Sequence, residues 1–275
     1  MKIVRKPAVA GMFYTSDPHE LREEIDKFLS MVPDTPLSGR IWSLIVPHAG
    51  YLYSGLTAAH AYKLLKKNPV STVVLISPSH REYFAGISIY QGDAFRTPLG
   101  DIPIDQKLSD RLAEKDSVII RSDRGHRAEH AIEVQLPFLQ VVLGQFAIVP
   151  ITVGDQRPEF CHHLSEKLAS ALRDTDVVMI ASTDLSHYHT AEEADKLDKI
   201  IIADLAEFNH TKLMSDIQSQ RAEACGGGPA VIALAASAKL GATDVKILHQ
   251  CNSGDVTGDR SAVVGYVSAV VYSKN

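Results

Sequence analysis

Cysteine is scarce in this chain, and what there is does not pair. Cys161, Cys225 and Cys251 are odd in number and lack C-x-x-C spacing. That argues against a disulfide framework and for a reducing, cytoplasmic setting. Basic blocks are absent as well. The net charge of −5 carries no cluster of one sign, so nucleic acid is a poor partner. No apolar run approaches the ~18–20 residues of a membrane span. Residues 1–7 lack the apolar core of a signal peptide. No repeat, low-complexity tract or linker divides the 275 residues, which leaves one domain over 1–275 as the expectation. The remaining composition, 45% hydrophobic and 22% charged, is that of an ordinary soluble globular protein.

Against this background one pattern recurs. Ser43-Leu44-Ile45-Val46-Pro47-His48 is a short apolar, β-branched run that stops at a proline and delivers a histidine. Thr72-Val73-Val74-Leu75-Ile76-Ser77-Pro78-Ser79-His80 repeats it. A third apolar strand, starting at Val177-Val178-Met179-Ile180, runs out through Ser182-Thr183 into Asp184 and His187. In open α/β sheets the crevice beyond the strands' carboxyl ends is where ligands bind, so three such histidines can converge although distant in sequence.

The rest reads as scaffold. Residues 1–17 are expected to form an irregular arm on the body. Leu21, Ile25 and Leu29 predict a helix over 19–31. A second helix is expected over 54–67 with Ser54 as its cap and His60 as a packed residue on its apolar side. The following strand, 72–77, then makes a strand–helix–strand unit and a parallel pair. Residues 86–90 alternate like a strand, 97–101 read as a turn, and 105–114 as a short helix. Residues 125–137 are dense in titratable groups; if helical, His126/His130 and Glu129/Glu133 are i,i+4 pairs. The Glu that follows the first His in zinc proteases is Arg127 here, so a supporting role for His130 is the better reading. Further strands are expected over 146–153, 176–182, 244–251 and 261–272, with helices over 158–172 and 191–208 and a nearly all-apolar one opened by the segment 223–229 and running through Leu240. His162 and His163, inside one of these helices, read as non-functional.

Imidazole is the commonest metal ligand near neutral pH, and His48 and His80 have the best placement for it. Cys225, followed by Gly226, Gly227 and Gly228 at a helix start, reads in two ways: as a thiol that ionises more easily, with glycines that admit a metal or ligand to the backbone, or as a buried small hydrophobe capping the helix. Asp184 and His187 read as a carboxylate and an oriented imidazole. Metal-assisted oxidation, metal-assisted hydrolysis and cysteine-nucleophile chemistry with His187 as base all remain open on these residues.

The sequence resembles the Memo (mediator of cell motility) family along nearly its whole length. The resemblance rests on Pro7-Ala8-Val9-Ala10-Gly11-Met12-Phe13-Tyr14, Val46-Pro47-His48-Ala49-Gly50-Tyr51 and Pro78-Ser79-His80. Further markers are Arg96-Thr97-Pro98-Leu99, Glu129-His130-Ala131-Ile132-Glu133, Ser182-Thr183-Asp184-Leu185-Ser186-His187 and Cys225-Gly226. It implies an α/β fold with a central, mostly parallel mixed sheet flanked by helices, like class III extradiol dioxygenases. By that resemblance His48 and His80 are two metal ligands, His187 is the acid/base, and His130 contacts substrate; Asp184 is read beside them as a support for His187. The chain departs from the dioxygenases at the third ligand, where the match falls on Cys225. A thiolate shifts the preference among iron(II), copper and zinc toward the softer ions. The implied protein is a mononuclear, oxidoreductase-like metal protein taking a small molecule or peptide in its cleft. Its pathway link is to radical-SAM and AMMECR1-like proteins, and its oligomeric state is open. The alternatives are a non-enzymatic metal- or peptide-binding descendant of the fold, and a hydrolase using Cys225 and His187.

Overall fold

The computed structural model describes residues 2–274. In chain order the elements are β1 (Val4–Arg5), α1 (Pro18–Met31), β2 (Ile41–Val46), α2 (Tyr51–Leu65), β3 (Thr72–Pro78), β4 (Ile87–Tyr90), β5 (Ala94–Thr97) and β6 (Gly100–Pro103). There follow α3 (Gln106–Ala113), β7 (Ile119–Ser122), α4 (Leu136–Leu143), β8 (Ala147–Val153), α5 (Pro158–Ala171), β9 (Val177–Ser182) and β10 (His187–His189). The last are α6 (Ala191–Ala206), α7 (His210–Gln218), α8 (Gly227–Leu240), β11 (Asp244–Asn252), α9 (Gly254–Thr257) and β12 (Val263–Tyr272).

A nine-stranded mixed sheet runs β10-β12-β2-β9-β3-β8-β4-β7, with β11 along the other edge of β12. Its centre, β2, β9, β3 and β8, is parallel; β12 and β4 flank it antiparallel. The central strands are apolar almost throughout because helices cover both faces, and the pleat divides their side chains between two cores. Ile45, Val74, Ile76, Val149, Ile151, Met179 and Ala181 pack with α5, α6 and α8. Leu44, Val46, Val73, Leu75, Ile148, Val178 and Ile180 pack with α1, α2 and α4. The alanine-rich α8 is buried on nearly every side, which suits a helix pressed flat onto the sheet. No helix among the described residues is long and apolar enough to cross a membrane.

Several expectations need correction. β2 and β3 are parallel but not paired, since β9 lies between them. That insertion brings the third strand end between the two histidine-bearing ones. Helix α2 begins at Tyr51 rather than Ser54, whose hydroxyl donates to Ala49 O and caps nothing. His60 is half-buried, stacked on His249 with ring centroids 4.5 Å apart. The 97–101 turn is present as expected, and forms the tip of a hairpin between β5 and β6. Neither β7 nor α7 was anticipated.

The 125–132 stretch is not helical, so its i,i+4 pairs do not exist. Two local features prevent a helix. The Glu129 carboxylate takes the backbone N–H of His130 and Ala131, and Gly125 sits at φ +70° against Thr152 and Phe84. His126 consequently points into the core and His130 toward the strand ends. His126 is a satisfied neutral histidine: Nε2–H donates to Ser88 O, and Thr152 Oγ1 lies 3.2 Å from Nδ1.

Candidate metal centre

Because the four central strands are parallel, their carboxyl ends share one edge of the sheet. His48 follows the end of β2, His80 the end of β3 and Asp184 the end of β9. Cys225 reaches the same place from the chain just before α8. One donor atom each from His48, His80 and Cys225 lie within 4.8 Å of one another. Donors on a single ion at ~2.0–2.3 Å stand roughly 3–4 Å apart, so small side-chain movements suffice to close the set.

The hydrogen bonds around the two imidazoles settle which nitrogen each offers. Ser182 Oγ donates to Ala131 O and accepts from Gln135 Nε2, so its remaining capacity is for a donor. His48 Nδ1, 2.9 Å away, must therefore carry the proton, which leaves the Nε2 lone pair 3.2 Å from Cys225 Sγ. His80 is held by Glu129: Nδ1–H donates to Oε1 at 2.9 Å and the backbone N–H donates to Oε2 at 2.6 Å. Its Nε2 is likewise left with a lone pair. A metal-binding histidine is usually oriented this way, by a partner on its other nitrogen.

The electrostatics keep His48 and His130 neutral. Burial, with His80 nearby, lowers His48 to about 3, and burial with His48 nearby lowers His130 to about 4. Burial alone would raise Glu129, but its bonds from His80 and from Ala131 N–H prevail and hold it at about 2. It is thus an anion in a nearly dry place, its acceptor sites taken by the group it orients.

Cys225 differs from expectation in two ways. Gly226 caps α8 and Cys225 lies just outside it, so burial, reinforced by Asp184, pushes the thiol well up rather than down. A bound cation would reverse that balance by displacing the thiol proton. Nor do the glycines leave space for a ligand. A Cβ on Gly226 would fall 2.2 Å from Ser182 O, one on Gly227 2.5 Å from Ile217, and one on Gly228 2.9 Å from Gln156. The protein itself fills those spaces, and the close approach of Gly226 to β9 sets the sulfur beside Asp184 N, 3.2 Å away.

Asp184 and His187 do not form a pair. Asp184 Oδ1 accepts the backbone N–H of His48 at 2.7 Å, and its burial raises it above the ordinary carboxylate range. His187, on the edge strand β10, is partly exposed and its ring makes no hydrogen bond among the described residues. It lies near enough to weaken protonation of His48. His130 stacks on His80 with centroids 4.8 Å apart and packs against Phe13 of the arm at 4.9 Å. Its buried Nδ1 has no hydrogen-bond partner, although Glu129 Oε1 is 3.3 Å away. His80, Glu129 and His130 also lie close enough to hold an ion. Glu129, Ser182 and Gln135 were not foreseen; the only local hint was Glu129 adjoining His130.

Fold and site define an α/β protein that gathers imidazole and thiol donors at the carboxyl ends of parallel strands. The chain belongs to the Memo family: the family model described as Memo-like protein matches residues 5–270. A MEMO1 family protein of Methanothermobacter thermautotrophicus is 41% identical over 273 residues, covering 96% of this chain and 99% of that one. Another, of Methanocaldococcus jannaschii, is 39% identical over 287 residues and covers 98% and 100%. A solved structure, the uncharacterized protein JW3007 from Escherichia coli K12, matches at 16% identity and TM-score 0.49, over 83% of this chain and 99% of that one. A likeness that slight says nothing of chemistry.

Proposed function

We propose that the chain is a metal-dependent oxidoreductase, or a close relative of one, whose mononuclear centre is formed by His48, His80 and Cys225. The observation that carries this reading is the convergence of two imidazoles and a thiol within 4.8 Å, from segments 32 to 177 residues apart. The orientation of both histidines through Nδ1 supports it. A two-nitrogen, one-sulfur set suits iron(II) or copper, with zinc also accommodated. Bound there, iron or copper supplies one-electron and O₂ chemistry. Glu129 and Ser182 fix the ligand rings; His130 offers a nitrogen that a small molecule in the cleft can engage. His187, partly exposed and with a ring that makes no hydrogen bond among the described residues, is the group to move a proton to or from that molecule. The hydrolase alternative is weaker, because the imidazole bonded to Cys225 is that of His48, not His187.

Elemental analysis of protein purified without oxygen or chelator tests the centre. His48→Ala and His80→Ala should lose bound metal, His162→Ala should keep it, and Cys225→Ser should lose copper(I) most. Equal metal content in all four variants would overturn the assignment. Oxygen uptake with a simple catechol then separates an oxidoreductase from a metal-binding protein without turnover.

A further inference from the structure

A cavity away from the candidate metal centre is lined by residues of α5, α7 and α8. Its volume is about 630 Å³, within the ~300–1,000 Å³ of small-molecule sites. It exists because the facing helices turn small residues toward it. Ala235 and Ala238 of α8 and Cys161 and Ser165 of α5 line it at helical spacing, where larger side chains would close it. Met214 and Val231 complete an apolar floor.

The rim is not apolar. His162, His210 and Lys239 line it from three different helices. They are close enough together that Lys239 and His162 both disfavour protonation of His210. A single carboxylate, Glu166, answers them, 2.8 Å from Lys239 Nζ and 3.7 Å from His162 Nε2. Lys239 is already paired with Glu166 and protonation of His210 is disfavoured, so what the rim offers an incoming carboxylate is hydrogen-bond donors, the imidazole N–H groups and the remaining N–H bonds of the Lys239 ammonium. Nothing in the metal chemistry needs these residues.

We propose that this cavity is a binding site for a small amphiphilic carboxylate. Its apolar body lies along Val231, Ala235 and Met214, and its carboxylate lies among His162, His210 and Lys239. The apolar floor supplies affinity through buried area and the donor-lined rim supplies direction, the division of labour usual in such pockets.

Octanoate is the probe, titrated calorimetrically into the full-length protein, with octanol as the uncharged control. The expected result is saturable octanoate binding at least tenfold tighter than octanol. Ala235→Phe, which fills the floor, should abolish it, and Lys239→Gln should weaken it about fivefold. Metal content should be unchanged in both variants. Should Ala235→Phe fail to fold, Thr211→Glu puts a like charge at the exposed rim and should weaken octanoate but not octanol. Absence of octanoate binding, equal binding of octanol, or indifference to both Lys239→Gln and Thr211→Glu overturns the proposal.

Discussion

At the scale of single residues, the side chains that converge at the strand ends were legible and the groups that hold them were not. His48 and His80 announce themselves because a proline ends an apolar strand just before each, which is a local signal. Glu129 carries no such signal. Its role depends on meeting His80, 49 residues away, and on a turn that its own carboxylate creates. That dependence makes it testable. Glu129→Gln keeps an oxygen for Nδ1–H but removes the charge and one acceptor, so metal affinity should fall about 10–100-fold. Competition titration against a metal chelator would show this; unchanged affinity would mean that Glu129 does not orient His80. His126 gives a second prediction, independent of metal. The unfolded imidazole binds a proton near its ordinary 6.5, whereas burial holds the folded one to about 3. Between those values the unfolded state binds more protons, so the stability present above pH 6.5 is lost as pH falls toward 3. His126→Gln, which keeps polar atoms for Ser88 and Thr152 but cannot titrate, should flatten that decline in thermal melts from pH 7 to 4.

Secondary-structure elements were read well where both faces of a strand are buried. β2, β3, β8 and β9 are continuous apolar runs for that reason, and the sheet follows from them. What escaped was order. Nothing local tells β9 to lie between β2 and β3, because its register is decided by long-range pairing. The short β7 and the marginally patterned α7 also escaped, since their few buried positions give too little periodicity. The contact between β9 and the start of α8 can be probed by a graded pair. Gly226→Ala drives a Cβ to 2.2 Å from a backbone oxygen, which cannot swing aside. It should cost about 1–3 kcal/mol in urea unfolding, the range for overpacking, and shift Cys225 away from the histidines. Gly228→Ala meets chiefly the Gln156 and Cys161 side chains, at 2.9 Å or more, and should cost less. Equal costs would place the constraint elsewhere in the helix.

For the molecule as a whole, the candidate site is tied to a segment that carries none of its proposed ligands. The arm before α1 closes on the buried carboxylate of Glu133. That carboxylate receives Ala8 N–H at 2.7 Å, Val9 N–H at 2.9 Å, the Tyr14 hydroxyl at 2.7 Å and the guanidinium of Arg5. Arg5 also donates to the carbonyls of His126 and Glu129, so the arm and the 126–133 stretch are tied together from both sides. Phe13 then packs on His130, and Phe13 O accepts Tyr51 N–H at the start of α2. The arm was expected only to pack on the body; its bonding to Glu133 was invisible, because its partners are more than 100 residues away. Removing one member of a buried ion pair strands the other, at a cost of about 3–5 kcal/mol. Glu133→Ala should therefore destabilise the protein by that order and release the arm before the sheet unfolds. Hydrogen exchange should show the amides of residues 8 and 9 losing protection first, while β3 and β9 stay protected. Metal affinity should fall as well, although His48, His80 and Cys225 are untouched, because Glu129 loses the anchor on its carbonyl. Retained protection in the arm with unaltered metal binding would show that Glu133 only fills space.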